Sequence, residues 1–150
     1  MVYKKNDEII IPNDAIRFRI IANSNNIKDL YEKQKLKSEI ENNIYNLVSD
    51  AKSSSVARDN INNNLDEIKK LVESKTHDYS INYGINYFPK KVYKGVVYPE
   101  GDYESLVITL GKGLGENWWC VLYPPLCLID DDNIKGDVSY RSLIYDTLYN

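Results

Sequence analysis

The sequence has 150 residues, 43% of them apolar and 27% charged, which suits one soluble domain around its own core. No stretch reaches the roughly 18 consecutive apolar residues that a membrane-spanning helix needs. A net charge of -3 and a pI of about 5.2 argue against a protein that grips a nucleic-acid backbone, which requires a basic face.

The first residues, MVYKKNDEIIIPND, carry two lysines but no long apolar region and no small-residue cleavage site, so they do not read as a signal peptide. Residues 1–14 are expected to be a flexible segment, followed by a single domain over 15–150. Any export segment would lie upstream. Ala15 to Ser24 reads as a strand, because Ile16, Phe18 and Ile20 alternate with Arg17, Arg19 and Ile21. The polar run from Asn23 to Asn26 ends it, and Asn26 with Asp29 three residues on marks a helix start.

A long helix is predicted over 27–48, with Leu36, Ile40, Ile44, Leu47 and Val48 on one face. DAKSSS interrupts the pattern. A second helix is predicted over 56–75, striped by Ala57, Ile61, Leu65, Ile68 and Val72. The only histidine, His77, follows that helix and reads as a surface or dipole feature rather than a catalytic one. Tyr79 to Tyr87 alternates Tyr or Ile with Ser, Asn or Gly, the mark of a strand with one wet face. Lys91 to Tyr98 reads as a short edge strand or an extended loop, and YPEGDYE as a turn. Ser105 to Gly111 reads as a central strand, GKGLGEN as a glycine-rich hairpin turn, and NWWCVLYP as a last strand. In the tail, Tyr140, Leu143, Ile144 and Leu148 share a helical face. The expected fold is therefore α+β and two-layered. A mainly antiparallel sheet carries two long helices on one face, in the order strand, helix, helix, strands.

Few positions invite chemistry. Gly111, Gly113 and Gly115 match neither a dinucleotide fingerprint nor a P-loop, and no helix follows to hold a phosphate. Asp130, Asp131 and Asp132 lack the spacing of a calcium loop. Cys120 and Cys127 lack the usual spacing and the two further ligands of a zinc site. No Ser/His/Asp order, H-E-x-x-H or G-x-S-x-G occurs. The residues thus point to a non-enzyme with no cofactor and no metal. The abundance of Tyr over Phe, 13 to 2, needs no function, since Tyr, Asn, Ile and Lys all have A/T-rich codons.

The segment NWWCVLYPPLC, Asn117 to Cys127, stands apart. It holds both tryptophans and both cysteines. A disulfide needs Cα atoms about 4.4–6.8 Å apart, so a bridge would require the chain to fold back at Tyr123-Pro124-Pro125. The residues alone leave two readings open: a small bridged loop, or two buried thiols. On a strand, Trp118 and Trp119 point to opposite faces, so one is expected to be chiefly structural and the other chiefly functional. On physics alone, a glycan or peptidoglycan binder with exposed aromatics is one class. A hydrolase using Glu100, Asp102, Glu104 or Glu116 is another.

Two segments resemble the stage II sporulation protein R family: IRFRIIANSN near the start, and YPEGDYESLVITLGKGLGENWWCVLYPPLC over Tyr98 to Cys127. The resemblance implies an exported signal that acts in the space between forespore and mother cell. There it would activate a membrane-embedded aspartic protease that processes pro-sigma-E. It implies no catalytic residues. It also implies an oxidising setting, in which Cys120 and Cys127 would close into a disulfide. The expected contact residues for the protease are Asn117, Trp118, Trp119, Tyr123, Pro124 and Pro125, with Arg17, Arg19 and Asn23 on the first strand.

Overall fold

The structure is a computed structural model that describes residues 9–126 and 144–149. Cys127, the acidic run Asp130 to Asp132, Tyr140 and Leu143 lie outside the described residues. The fold is α+β with two mixed sheets. In chain order the elements are β1 (Ile9–Ile10), β2 (Ile16–Ile21), α1 (Ile27–Val48), α2 (Ser54–Asn63), α3 (Leu65–Glu73), β3 (Tyr79–Phe88), β4 (Lys91–Tyr93), β5 (Val96–Tyr98), β6 (Gly101–Leu110) and β7 (Asn117–Tyr123). A helix, α4, covers 144–149.

The larger sheet has the order β3-β6-β2-β7. Its outer pairs, β3 with β6 and β2 with β7, are antiparallel, but β2 and β6 run parallel. The smaller sheet, β1-β5-β4, again has one parallel pair, β1 with β5. The expectation of a mainly antiparallel sheet therefore needs correction at the centre. Parallel neighbours require a long crossover connection. Here the helices and β3 separate β2 from β6 in the chain.

One buried cluster joins Phe18, Ile20, Leu106, Ile108, Cys120 and Leu122 of the sheet to Leu36, Ile40, Ile44, Ala57, Ile61, Ile68 and Val72 of the helices. Of the helix stripes read from the sequence, Leu36, Ile40, Ile44, Val48, Ala57, Ile61, Ile68 and Val72 are buried there, and Leu47 and Leu65 are partly buried against the cluster. α1 starts as expected, with the Asn26 side chain accepting from the Asp29 amide at 2.8 Å. The expected second helix is two helices. Asn64 has φ -116, outside the helical range, and its side chain donates to the Asn60 carbonyl at 2.8 Å. Asn competes with the helical backbone in this way, so an Asn-rich run is a natural break. Arg58 of α2 clamps Glu104 of β6 through two hydrogen bonds, at 2.5 and 2.8 Å, and Tyr83 Oη donates to the same carboxylate at 2.6 Å. The Arg58 hydrogen bonds hold the Glu104 carboxyl below the usual range.

The segment 91–98 forms a hairpin. Lys94 and Gly95 both have positive φ, 49° and 82°, as a two-residue turn between right-twisted strands demands. Within the stretch expected to be flexible, Ile9 and Ile10 form β1, and Ile9 and Ile11 are buried. They gather with Ala15, Val96, Tyr98, Val121, Leu126 and Ile144 into a second cluster, which Leu148 of α4 also meets.

Ile40 is fully buried, whereas Leu65 is only partly buried against the cluster. Ile40→Ala should cost about 2–5 kcal/mol in urea denaturation, as cavity-forming changes do, and Leu65→Ala clearly less. Equal losses at both positions would show that the helix face is misplaced.

Candidate functional site

On β7 the two tryptophans face opposite ways. Trp118 pairs with Ile20 and lies on the helix side, edge-on to Phe18 at 5.4 Å, with Lys37 Nζ 4.9 Å from its ring centre. Trp119 pairs with Arg19 and lies on the other face, edge-on to Phe88 at 5.4 Å. Both rings are half-buried.

The Trp119 face is a cation–aromatic surface. Arg19 Nε donates to Asn117 Oδ1 at 2.9 Å, and its guanidinium lies 5.9 Å from the Trp119 ring centre and 5.5 Å from that of Phe88. Lys91 Nζ approaches the same indole at 5.1 Å. Cations at these distances are attracted by the negative face of the ring. Burial lowers the Arg19 pKa, but the guanidinium stays charged.

Beneath this surface lies Arg17, which is only 1% exposed. Its guanidinium stacks 3.7 Å over Tyr103, with Phe88 and Tyr98 at 5.3 and 5.9 Å. Nη2 donates to the Pro99 carbonyl at 3.2 Å, but Nε and Nη1 have no hydrogen-bond partner among the described residues. Burial lowers its pKa and the neighbouring tyrosines oppose that shift. The aromatic walls compensate part of the desolvation of the charge, while two donors stay unsatisfied, a cost of about 1–3 kcal/mol each.

The polar run after β2 has a different task. The chain from 111 to 116 does not turn back as a hairpin, because β2 lies between β6 and β7. It crosses the end of β2 instead and is pinned there. Asn23 Oδ1 accepts from the Lys112 amide at 2.8 Å, and Asn25 Oδ1 from the Glu116 amide at 2.7 Å. The Gly115 amide donates to the Ala22 carbonyl at 2.9 Å. A Cβ on Gly115 would sit 2.3 Å from the Ser24 carbonyl oxygen, and one on Gly111, at φ +55°, would sit 2.2 Å from Asn23 Oδ1. Gly115 permits close approach of two backbones, and Gly111 makes room for the Asn23 side chain. Ser24 and Asn23 also donate to the Asp29 carboxylate, at 2.5 and 2.9 Å, and hold its pKa below the usual range.

The structure therefore brings Arg19, Asn117 and Trp119 together, with Arg17 underneath. It places Trp118 on the opposite face and Asn23 in the crossing loop. Tyr123 packs against the helix-side cluster. With Pro124 it borders a cavity of about 250 Å³ lined also by Pro12, Asp14, Ser54 and Leu148. Pro125 is half-buried nearby. Lys91 and the buried rings of Phe88, Tyr98 and Tyr103 complete this arrangement but were absent from the expected set. The signal that could have found them is the Arg-x-Arg alternation of β2, which puts two cations on one sheet face and so demands partners there. Cys120 is buried on the helix side and is not a free thiol.

Residues 12–133 match the family model described as stage II sporulation protein R. The chain belongs to the stage II sporulation protein R family. It is 40% identical over 135 residues to stage II sporulation protein R of Bacillus subtilis (strain 168), which covers 86% of this chain. The chain spans 60% of the length of that relative. No solved structure matches. The matched span takes in both the loop crossing over β2 and the Arg17–Trp119 surface, so membership in the family concerns a sporulation protein with this framework.

Arg17→Met keeps most of the buried volume and removes the charge with its two unpartnered donors. Its stability in urea should fall by less than about 1 kcal/mol or rise by up to about 4 kcal/mol, as when buried charges give way to apolar side chains. Arg17→Ala, which opens a cavity against Tyr103, should be the less stable variant. A large loss for the Met variant would mean that the stacked cation itself holds the sheet face together.

Proposed function

We propose that this chain is an extracytoplasmic sporulation signal. In this reading it is exported into the space between forespore and mother cell and activates a membrane-embedded aspartic protease. That protease then removes the pro-sequence from pro-sigma-E. The observation that carries the reading is the family match over 12–133. The chain acts as a ligand and not as an enzyme. No helix among the described residues is long and apolar enough to cross a membrane.

The contact surface in this proposal is the face of Trp119, Arg19, Asn117 and Lys91. A half-buried aromatic flanked by cations and set on strands is preorganised, so little ordering entropy is lost on binding. Its charge favours an acidic or carbonyl-rich segment of the protease. The same arrangement weighs against the alternative of a glycan binder, since a sugar stacking on Trp119 would have to displace the cations already near the ring. Co-expression with the protease and pro-sigma-E in a non-sporulating host tests the reading. The wild-type chain should trigger processing. Arg19→Gln combined with Lys91→Glu should melt close to wild type yet lose most processing, whereas Trp118→Ala should lose stability first. Absence of processing with the wild-type chain sinks the signalling role. Full processing by the double variant moves the contact elsewhere.

The Cys120–Cys127 disulfide is part of the same proposal. A bridge would tie the middle of β7 to the position two residues after Pro125 in the sequence, and closing so short a loop contributes roughly 2.5 kcal/mol in the chain-entropy model. Protein from an oxidising compartment should show no alkylatable thiol and a mass lower by two hydrogen atoms than the reduced form. Two freely labelled cysteines would exclude the bridge.

A further inference from the structure

β3 is an outer strand of the larger sheet, and among the described residues nothing is paired to its free side. It is long, with 10 residues, and its register with β6 runs from Tyr79 opposite Leu110 to Phe88 opposite Gly101 without a bulge. Native proteins usually blunt such an edge with charge, proline, a bulge or a cover. β3, YSINYGINYF, contains no Asp, Glu, Lys, Arg or Pro. On its helix-side face Ile81 and Tyr83 are partly buried against the core, but Ile85 is 70% exposed and Tyr87 55% exposed. Half of an apolar stripe is therefore left in solvent.

The strand is self-complementary. Turned antiparallel on itself about Tyr83, it sets Tyr79 opposite Tyr87, Ile81 opposite Ile85, and Tyr83 opposite Tyr83 on one face. On the other face Ser80 meets Asn86, and Asn82 meets Gly84. Gly84 needs no special backbone there, and the space above it is open apart from the Asn82 side chain at 3.6 Å. Each exposed residue of one copy, Ile85 or Tyr87, would thus cover a residue of the other copy that already packs on the core. Aromatic and β-branched pairs of this kind are the favourable ones across strands.

We infer that a second copy of this chain adds to the free edge of β3 in antiparallel register centred on Tyr83, joining two four-stranded sheets into one across a two-fold axis. This symmetric, isologous contact closes on itself and does not propagate into a fibre. It is independent of the signalling role proposed above.

Sedimentation velocity over a concentration series should show the whole chain in monomer–dimer equilibrium. Ile85→Lys puts a charge opposite Ile81 of the partner at a position exposed in the single chain. It should keep the native circular dichroism spectrum and shift the dimer dissociation constant upward at least tenfold. Tyr83→Cys, oxidised mildly, should give a covalent dimer linked at position 83 in both copies, mapped by mass spectrometry. Ile85→Cys should not link to itself, since those positions would lie four residues apart along the strands, roughly 13 Å. A wild-type chain that stays monomeric at its highest soluble concentration overturns the inference, whether or not the edge accepts an unrelated extended peptide. An Ile85→Lys variant that dimerises like wild type, or a Tyr83→Cys variant that does not link, overturns it as well.

Discussion

The insertion of β2 between β6 and β7 governs this fold. Its neighbours come from far along the chain, with Arg17 opposite Ser105 on one side and Val121 on the other. Because β2 is central, its alternate residues serve two different environments. Phe18 and Ile20 enter the core under the helices, and Arg17 and Arg19 enter the aromatic face behind it. Because β6 and β7 are consecutive in the chain but separated by β2, their connection must cross over the end of β2. That crossing accounts for the glycines at 111 and 115 and for the Asn23 and Asn25 side chains that receive its amides. Much of what distinguishes the sequence follows from this one placement.

The helix side and the opposite side of the larger sheet are built on different physics. The helix side is an aliphatic core with one polar clamp at its margin, where Glu104 accepts from Arg58 and Tyr83. The opposite side combines cations with rings. Arg17 is buried there with two donors that have no partner among the described residues, and Ser105 is buried with its hydroxyl on the Tyr103 carbonyl at 3.0 Å. An aliphatic residue would fill the place of Arg17 at less desolvation cost. Arg17 and Arg19 share this face and both lie near the Phe88 ring.

The same separation explains how the molecule could serve two partners at once. The proposed protease face lies around β7 and the second half of β2, on the side away from the helices. The self-complementary edge lies at β3, the opposite end of the larger sheet. The two approach each other at the C-terminal end of β3, where Phe88 lies against Trp119 and the Tyr87 carbonyl accepts from Arg19.

The sequence by itself determined the elements and the faces. Helical spacing in 27–48 and 56–75 identified the buried stripe, and the period of two in β2, β3 and β7 placed Trp118 and Trp119 on opposite sides. Both follow from local geometry, since side-chain direction repeats every 3.6 or 2 residues whatever the rest of the chain does. Family membership was legible too, in the segments IRFRIIANSN and Tyr98 to Cys127, which lie within the matched span 12–133. Only the tertiary structure decided which strands are neighbours. Alternation looks the same in parallel and antiparallel pairs, so the parallel β2–β6 pairing left no local trace, and the glycine segment passed for a hairpin turn. The composition of the site was decided at the same level. Phe88, Lys91 and Tyr103 meet Arg17, Arg19 and Trp119 only once β3, β4, β6 and β7 are arranged around β2, and no spacing along the chain encodes a meeting of residues so far apart in it.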